Sequence, residues 1–422
     1  MSARVFDGVV RSAEGWTHDL NFEACSTAID PRVSSTGGAN RSRINGAGDR
    51  IVSTSSARVD HDPASLASKG LLQEPDAVAA IRNSAMAGAV AGTPGTLPTH
   101  WVTDFAAGQL RQVVGAGTEK GMPYVDLRFY SAANDRGYAA FYPEQFNVIP
   151  ASPGDVWIYS QHVKLVAGSI TGINQILYAR AHTASSVITL DTVSYITPAA
   201  SGVSLLDARQ SLSITAPALT ERITSAYAFT MTVGPAYDFT LRVGTPQLDK
   251  RAFATSPVWS SGTALAATPA THFISGAAFA QYFANQGTYL IEFTPYALSA
   301  NEVYWGIGQV SVFNNSMYLV NSGGSLFLIV YSGGVNTAAL DLGTLVAGTR
   351  CKVAISYQAG EIAARCNGGT ERVSSGAMPA VIDTEGLLTT PWNGGSSYPA
   401  AHMHRRRYRP YPSRGDLYQL TA

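Results

Sequence analysis

The chain has 422 residues, of which 45% are hydrophobic and only 14% are charged, and its formal net charge is zero. This length exceeds what one hydrophobic core usually holds, so we expect two or three domains. The balanced charge gives no electrostatic basis for binding nucleic acid or an anionic membrane, and we predict neither. No apolar run approaches the roughly 18 residues of a membrane-spanning helix.

Residues 1 to about 80 show no sustained helix or strand period. Turn-rich clusters at residues 34–40 and 53–56 separate short polar stretches. Because such a segment cannot bury a core of its own, it must rest on another structure or stay flexible. We interpret it as an arm, with a flexible tail as the alternative. Residues 77–91 alone have a helix-friendly composition, and we interpret them as a linker.

From about residue 101 to residue 253 the pattern is typical of β-strands. Residues 156–165 alternate with period two, which places Trp157 and Ile158 on opposite faces of a strand. Two further alternating stretches flank the turn at Gly234-Pro235. Antiparallel strands at this spacing predict a β-sandwich or jelly roll.

A second β unit begins near residue 271. Residues 289–294 and 352–357 alternate in the same way, and glycine-rich turns separate short strands. The fold class that we predict is therefore all-β, with two antiparallel β-sandwiches after an irregular N-terminal segment.

The three cysteines are an odd number without regular spacing, which argues against a disulfide framework and a zinc knuckle. Cys351 and Cys366 flank a predicted hairpin around residues 358–361. They would face each other across it, and we predict reduced thiols there.

The sequence contains no constellation typical of catalysis. Glycoside hydrolysis needs two carboxyl groups across the sugar, roughly 5–5.5 Å apart in retaining enzymes and about 6.5–9.5 Å apart in inverting ones. The candidate carboxylates of the second unit are isolated in the sequence: Glu292, Glu302, Glu361 and Asp383. Asp60 and Asp62 fit a turn held by hydrogen bonds better than an acid–base pair. We expect that the chain is not an enzyme.

His402 and His404 could chelate a metal from one strand, but no third ligand is evident. We predict no metal site and no cofactor, and calcium would rest on fold analogy alone.

Sugar-binding β-sandwiches stack a pyranose ring on an exposed aromatic side chain and bind its hydroxyl groups with amides and carboxylates. The candidates for such a site are Trp305, Trp392, Asn393 and Tyr398. Each aromatic residue among them is equally suited to a core or an interface.

Three stretches, far apart in the sequence, carry a resemblance to a known family. They are Arg58-Val-Asp-His-Asp-Pro63 running on to Lys69-Gly-Leu-Leu-Gln-Glu-Pro75, then Pro246-Gln-Leu-Asp-Lys-Arg-Ala-Phe-Ala-Thr-Ser-Pro257, and Arg407-Tyr-Arg-Pro-Tyr-Pro412. Together they resemble phage and prophage virion proteins described as tail-fibre, head-fibre or minor structural proteins.

The resemblance implies a division into an attachment arm at residues 1–80, a carbohydrate-binding-module-like sandwich at residues 81–258 and a concanavalin/laminin-G-like sandwich at residues 270–422. It implies a virion protein, assembled in the host cytoplasm, that adsorbs to host surface glycans. Its partners would be other virion proteins, bound through the arm, and host polysaccharide. A homotrimer or another symmetric homo-oligomer is expected. The alternatives are a capsule or lipopolysaccharide depolymerase with an inter-subunit active site, and a purely structural decoration or adaptor protein.

The basic run Arg405-Arg-Arg-Tyr-Arg409 departs from the resembled family, whose closing strand usually carries an aliphatic residue where Arg406 stands. We expect Arg406 to pair with a carboxylate or to reach a subunit interface. Binding of an acidic glycan or nucleic acid is the alternative.

Overall fold

A computed structural model describes residues 4–6, 9–11, 15–25, 29–53, 57–280, 284–310, 312–391 and 398–422. Within these ranges the chain is almost entirely β-structure, which confirms the predicted fold class. The two α-helices have five residues each, and none of the described helices combines the length and hydropathy of a membrane span.

The strands before residue 80 are short: β1 (Arg4–Phe6), β2 (Val9–Arg11), β3 (His18–Asn21), β4 (Ser34–Gly37), β5 (Ser42–Ile44), β6 (Arg50–Val52), β7 (Val59–His61), β8 (Ser68–Gln73) and β9 (Ala77–Ala79). The middle of the chain has longer strands: β10 (Val102–Asp104), β11 (Leu110–Glu119), β12 (Met122–Ser131), β13 (Tyr138–Tyr142), β14 (Ile149–Pro150), β15 (Val156–Ser169), β16 (Ile173–His182), β17 (Ile188–Ile196), β18 (Arg209–Thr215), β19 (Arg222–Met231) and β20 (Tyr237–Asp249).

The last part of the chain forms the remaining strands: β21 (Leu265–Ala267), β22 (Ala270–Ser275), β23 (Gly287–Pro295), β24 (Val303–Gln309), β25 (Val312–Ser322), β26 (Ser325–Ser332), β27 (Val335–Thr344), β28 (Cys351–Gln358), β29 (Glu361–Cys366), β30 (Arg372–Ser374), β31 (Thr384–Leu387) and β32 (Ala401–Arg409). The helices are α1 (Gly276–Ala280) and α2 (Leu417–Thr421), with 3₁₀ turns at Phe22–Ala24, Leu205–Asp207 and Arg414–Asp416.

The first sandwich packs two sheets face to face. Sheet 1 has the order β11-β12-β20-β15-β18, extended by β9 and β21, and sheet 2 has the order β10-β13-β19-β16-β17, with β14 beside β19. Trp157 and Tyr159 point into the core between the sheets. The alternation of residues 156–165 predicted a strand, which β15 confirms; its other face is buried as well, at Ile158, Ser160 and His162.

The second sandwich is built in the same way. Sheet 3 has the order β27-β26-β25-β24-β31-β22-β4, and sheet 4 has the order β30-β29-β28-β23-β32-β8-β7, with β3 beside β32. The alternating residues of β23 and β28 line its core as predicted: Tyr289, Ile291, Phe293, Val353, Ile355 and Tyr357.

The N-terminal segment requires a correction, because most of its strands from Trp16 onward are part of the second sandwich rather than a separate arm, while the β5–β6 hairpin packs against Met122 and Leu205 of the first sandwich. β3 pairs with β32, β4 pairs with β22, and β7 and β8 continue sheet 4 past β32. Leu20 and Leu71 belong to the second core. These strands have three to six residues and find their partners far away in the chain. Such short strands leave too little alternation to be recognised in the sequence.

The domain boundaries change accordingly. β3, β4, β7 and β8 belong to the second sandwich, the chain enters the sheets of the first at β9, and it returns to the second after residue 258. β9 holds the crossing in place, because it pairs with β20 of sheet 1 and with β21 on the return path. The first sandwich is thus an insertion in the second.

Residues 77–91 form a strand and an irregular crossing, with no helix. Ile81 enters the first core. The side chain of Asn83 donates to the backbone carbonyl of Ala87 (2.8 Å), and Ser84 Oγ donates to that of Val258 (2.9 Å). Buried polar side chains that bond to the backbone compete with helical hydrogen bonds, and here they outweigh the helix-friendly composition.

The first two resembling stretches meet where the sandwiches join. Glu74 is buried and accepts hydrogen bonds from Arg58 (2.7 Å), the Tyr296 hydroxyl (2.7 Å) and the Ser256 N–H (2.6 Å). Burial alone would raise the pKa of Glu74, but Arg58 and Arg41 hold it well below its usual range. The carboxylate of Glu74 therefore connects the first resembling stretch with the second and with Tyr296, which directly follows β23.

The two aspartates of the first stretch have structural contacts. Asp60 accepts a hydrogen bond from the Ile44 N–H (2.8 Å) and contacts His402 on β32 (3.2 Å). Asp62 accepts the N–H groups of Ala64 (3.1 Å) and Ser65 (2.9 Å), and these bonds lower the pKa of Asp62 to about 2. The prediction of a hydrogen-bonded turn is confirmed for Asp62, whereas Asp60 lies in strand β7.

Arg406 lies inside the second core. Its Nε donates to Glu385 Oε1 (2.5 Å), its Nη2 contacts Glu385 Oε2, and its Nη1 contacts His18 Nδ1. Burial, followed by the charge of Arg406, lowers the pKa of His18 far below its usual value, so His18 is neutral. The expected carboxylate partner of Arg406 is confirmed, and its side chain is inaccessible to a glycan.

Cys351 and Cys366 lie on the β28–β29 hairpin, and both are free thiols. A hydrogen bond between the two sulfurs, together with burial, raises the pKa of Cys351. The predicted hairpin and the facing thiols are both present.

Candidate functional site

The structure describes two of the four residues proposed for sugar binding, Trp305 and Tyr398. Trp305 is fully buried in the second core, and its Nε1 donates to Glu385 Oε1 (2.6 Å). It therefore cannot serve as an exposed stacking platform, and that expectation is corrected. Trp392 and Asn393 lie outside the described residues. Tyr398 is half-buried just before β32, and burial raises its pKa.

Three glycines lie together on the outer face of sheet 3, in front of the buried Trp305. Gly306 and Gly308 alternate along β24, and Gly386 of β31 pairs directly with Gly306. Because side chains alternate across a strand, all three positions face away from the core. Because glycine has no side chain, only backbone forms the outer surface of sheet 3 at these three positions, and the surface is flat there.

Residues 388–391 pack directly against this flat part of the sheet. A Cβ on Gly306 would lie 3.0 Å from Pro391 Cδ and 2.8 Å from Tyr318 Cβ, and one on Gly386 would lie 2.8 Å from the Thr389 carbonyl oxygen. The glycines thus let Pro391 rest directly on the sheet, next to Tyr318. Pro391 is the last described residue before the stretch that holds Trp392 and Asn393.

Aromatic side chains continue the surface beyond Pro391. Tyr318 and Tyr331 stack nearly parallel, with ring centroids 6.5 Å apart and an interplanar angle of 5°. Phe313 meets Tyr331 edge to face at 5.2 Å and is 45% exposed. We call the surface of Phe313, Tyr318, Tyr331 and the three glycines the aromatic face.

The polar groups of the aromatic face suit neutral hydroxyl-bearing ligands. Burial, followed by the neighbouring Tyr331, raises the pKa of Tyr318 to about 12, so its hydroxyl stays protonated at neutral pH. Asn336 pairs with Tyr331 across sheet 3 and is exposed. Asn314, next to Phe313, is exposed too. Amide groups at the rim can donate to and accept from sugar hydroxyls.

The first sandwich has a cleft of about 380 Å³ at one end, between the β15–β16 and β19–β20 connections. Ile173, Met231 and Tyr237 give it an apolar side, while Ser169, Thr171 and Thr232 supply hydroxyl groups. Burial raises the pKa of Tyr237 to about 12. The cleft combines an aromatic ring with several neutral donors.

The isolated carboxylates of the second unit are engaged in separate contacts. Glu292 binds Arg350 (2.8 Å) and Glu361 binds Arg414 (2.8 Å). Glu302 accepts from the Tyr304 hydroxyl (3.0 Å), and burial raises its pKa. Asp383 accepts from the Val310 N–H (2.9 Å).

Sequence reasoning missed the aromatic face, although one signal was present. Gly306 and Gly308 stand two residues apart in the strand-like stretch Tyr304-Trp-Gly-Ile-Gly-Gln309. Glycine in a strand interior often marks a place where another part of the backbone or a ligand comes close. The tyrosines opposite these glycines could only be found from the strand register.

Comparisons with known proteins show similarity over only part of the chain. No protein-family model matches the chain, and no curated protein matches it. Among solved structures, a CBM40 domain of a Ruminococcus gnavus IT-sialidase bound to α2,6-sialyllactose is similar at TM-score 0.30 and 18% identity, covering 35% of this chain and 87% of that one. The K499G mutant of NanB sialidase from Streptococcus pneumoniae gives TM-score 0.31 and 10% identity, covering 36% and 26%. A heptameric SAP-like pentraxin from Limulus polyphemus gives TM-score 0.25 and 12% identity, covering 33% and 70%. Each likeness is confined to about a third of the chain and does not define a function.

Proposed function

We propose that this chain is a non-enzymatic virion protein, a fibre, spike or decoration subunit, that adsorbs to host surface glycans through its two lectin-like sandwiches. The observation that carries the proposal is the aromatic face. There, Phe313, Tyr318 and Tyr331 lie beside residues 388–391, which pack on the three glycines of sheet 3. The cleft at Tyr237 would add a second weak site.

Ring stacking is the physical basis of the proposed binding. The C–H face of a pyranose packs against an aromatic ring, and neutral donors and acceptors at the rim bind its hydroxyl groups. A shallow surface of this kind buries little area, and most polar contacts are exchanged with water. We therefore expect dissociation constants on the order of millimolar to tens of micromolar for each site, and useful retention only when several sites act together.

The virion location is supported by the resemblance of the three stretches. Two of them meet at Glu74, so the residues that carry the resemblance also hold the two sandwiches together. In this proposal, attachment to other virion proteins falls to the residues before Gly15, since the strands from β3 to β8 pack against one or the other sandwich. A symmetric homo-oligomer would supply the repeated weak sites.

Retention of the full-length protein on immobilised host polysaccharide tests the proposal. Phe313→Ala and Tyr318→Ala should each reduce retention, whereas Tyr418→Ala, which removes an exposed tyrosine elsewhere, should not. Thermal unfolding of each variant shows whether the fold is intact. Equal retention by folded variants and wild type would contradict the assignment of the aromatic face.

The same experiment separates the rival functions. Release of new reducing ends from the polysaccharide would replace adsorption with depolymerase activity. No retention on any host glycan, with normal incorporation into particles, would leave a purely structural decoration or adaptor role.

A further inference from the structure

Strand β17 is an uncovered edge of the first sandwich. It lies at the end of sheet 2, where β16 is its only strand partner within the described sheets. An edge strand presents unpaired backbone N–H and C=O groups along its free side, and these can pair with a strand of another molecule. The side chains of β17 therefore determine whether this edge is protected from pairing with another strand or available for it.

The side chains of β17 are unusually apolar for an exposed strand. Ile188 and Val193 are 47% and 48% exposed, and Tyr195 is 69% exposed, all on the outer side of sheet 2. Leu190, on the opposite side, is 37% exposed at the open end of the sandwich. Contiguous exposed apolar surface on a folded domain usually marks an interaction site.

Neighbouring loops extend this apolar surface. Asn147 Nδ2 donates to Ser186 Oγ (2.7 Å), which places the exposed Phe146 and Val148 beside the turn before β17. Thr189 and Thr220 hydroxyls are 3.2 Å apart, which places the exposed Leu219 next to the strand. Exposed apolar side chains of two loops therefore lie close to the β17 edge.

β17 carries only part of the protection that is usual at an edge. Natural edge strands carry lysine or proline, are very short, or contain a bulge. β17 has a register shift between Ile188 and Leu190, but its pairing with β16 is regular from Leu190 to Ile196, and the strand has no lysine or proline. Its single charge, Asp191, is paired with Arg180 (Nη2 to Oδ2, 2.8 Å).

We propose that β17 pairs with β17 of a second copy of this chain, antiparallel about a two-fold axis at Val193, so that sheet 2 continues across the dimer. This register places Leu190 opposite the partner's Ile196, and Asp191 opposite the partner's Tyr195. The two Asp191 carboxylates do not oppose each other, so no like charges meet directly across the strands.

A second copy is the occupant that these residues favour. A two-fold axis makes the same patch contact itself, so that each apolar side chain of one strand finds another in the partner. The formal net charge of zero leaves no long-range repulsion between identical chains. The proposal is independent of glycan binding, because β17 lies on the first sandwich and the aromatic face on the second.

Sedimentation velocity of the full-length protein at micromolar concentration tests the pairing. The wild-type mass should be twice 44.5 kDa. Val193→Lys places two ammonium groups on the axis and should raise the dissociation constant roughly 100-fold or more, since like charges facing across an interface cost several kcal/mol. Thr192→Pro should act in the same direction by removing a backbone donor and stiffening the strand.

Val335→Lys provides the matched control, because Val335 is 63% exposed on the β26–β27 turn of the second sandwich. It should leave the dimer unchanged. Far-UV circular dichroism identifies any variant that fails to fold. A monomeric wild type, a threefold mass, or a folded Val193→Lys variant that still dimerises would each overturn the proposal.

Discussion

The guanidinium group of Arg406 and the carboxylate of Glu385 form an ion pair inside the second sandwich, with both side chains fully buried. Trp305 Nε1 donates to the same carboxylate, and Arg406 lies 4.9 Å from the centre of the Tyr289 ring. Two charges in a core are stable only when each satisfies the other and the remaining hydrogen-bonding capacity is used.

Removing one member of this pair should be far more harmful than removing both. Arg406→Leu leaves Glu385 charged and buried, and we expect it to lower the free energy of unfolding by about 3–5 kcal/mol. The double variant Arg406→Leu/Glu385→Leu should lose less, because no unpaired charge remains. Urea unfolding of the two single variants and the double variant measures this, and strictly additive losses would contradict it.

Deleting residues 1–76 should unfold the second sandwich. The deletion removes β3, β4, β7 and β8 from sheets 3 and 4, together with Glu74 at the junction. A fragment of residues 77–268 keeps the whole first core and should fold alone. Amide hydrogen exchange on both proteins is the measurement. Native-like protection of residues 270–422 after the deletion would show that the N-terminal strands are dispensable.

Acidification should destabilise the protein partly through His272. This side chain is fully buried between Ser35 Oγ (2.8 Å) and Gln73 Oε1 (3.2 Å), and burial, then the charge of Arg58, lowers its pKa to about 3. The unfolded chain takes up this proton near pH 6.5, so stability is full above that pH and falls as the pH decreases towards 3.

The His272→Gln variant isolates this effect. Between pH 6.5 and pH 4, wild type should lose about 1.4 kcal/mol more per pH unit than the variant, because only wild type has this titrating group. Urea unfolding at several pH values gives both slopes. Identical slopes would mean that His272 is not held neutral in the folded state.

Gly306→Val should disturb the aromatic face. Its Cβ would meet both Pro391 and Tyr318, so the segment 388–391 must move off the sheet. Overpacking of this kind costs about 1–3 kcal/mol. We expect faster proteolysis near Pro391 and weaker retention on glycan. Gly415→Ala, which meets no atom within 4 Å, is the control and should change neither.

The sequence predicted those parts of the fold in which one strand is long enough to show its own period. β15 and β23 alternate over enough residues to be recognised as strands. β3 and β31 have four residues each, so the sequence did not show that Glu385 points inward towards Trp305. Trp305 therefore remained a candidate for the surface until the strand register placed it in the core.

The place of the candidate site could not be predicted from the sequence. That weak aromatic contacts rather than hydrolysis take place there stays a prediction. The aromatic face combines β24, β25, β26 and β31, whose adjacency is set by long-range pairing. Only the fold brings Tyr318 next to Pro391.

The insertion of the first sandwich into the second sets an order of events during synthesis. Residues that pair across the second sandwich, such as Thr17 and Tyr408, are 391 positions apart in the chain. While the ribosome is still adding residues, β3, β4 and one side of β8 lack their partners β32 and β22, whereas the first sandwich can close as soon as β20 has emerged. Domains generally fold as units during translation, and contacts between distant residues form late. The nascent N-terminal strands therefore stay exposed longest, and they are the natural substrates for a chaperone until β32 arrives.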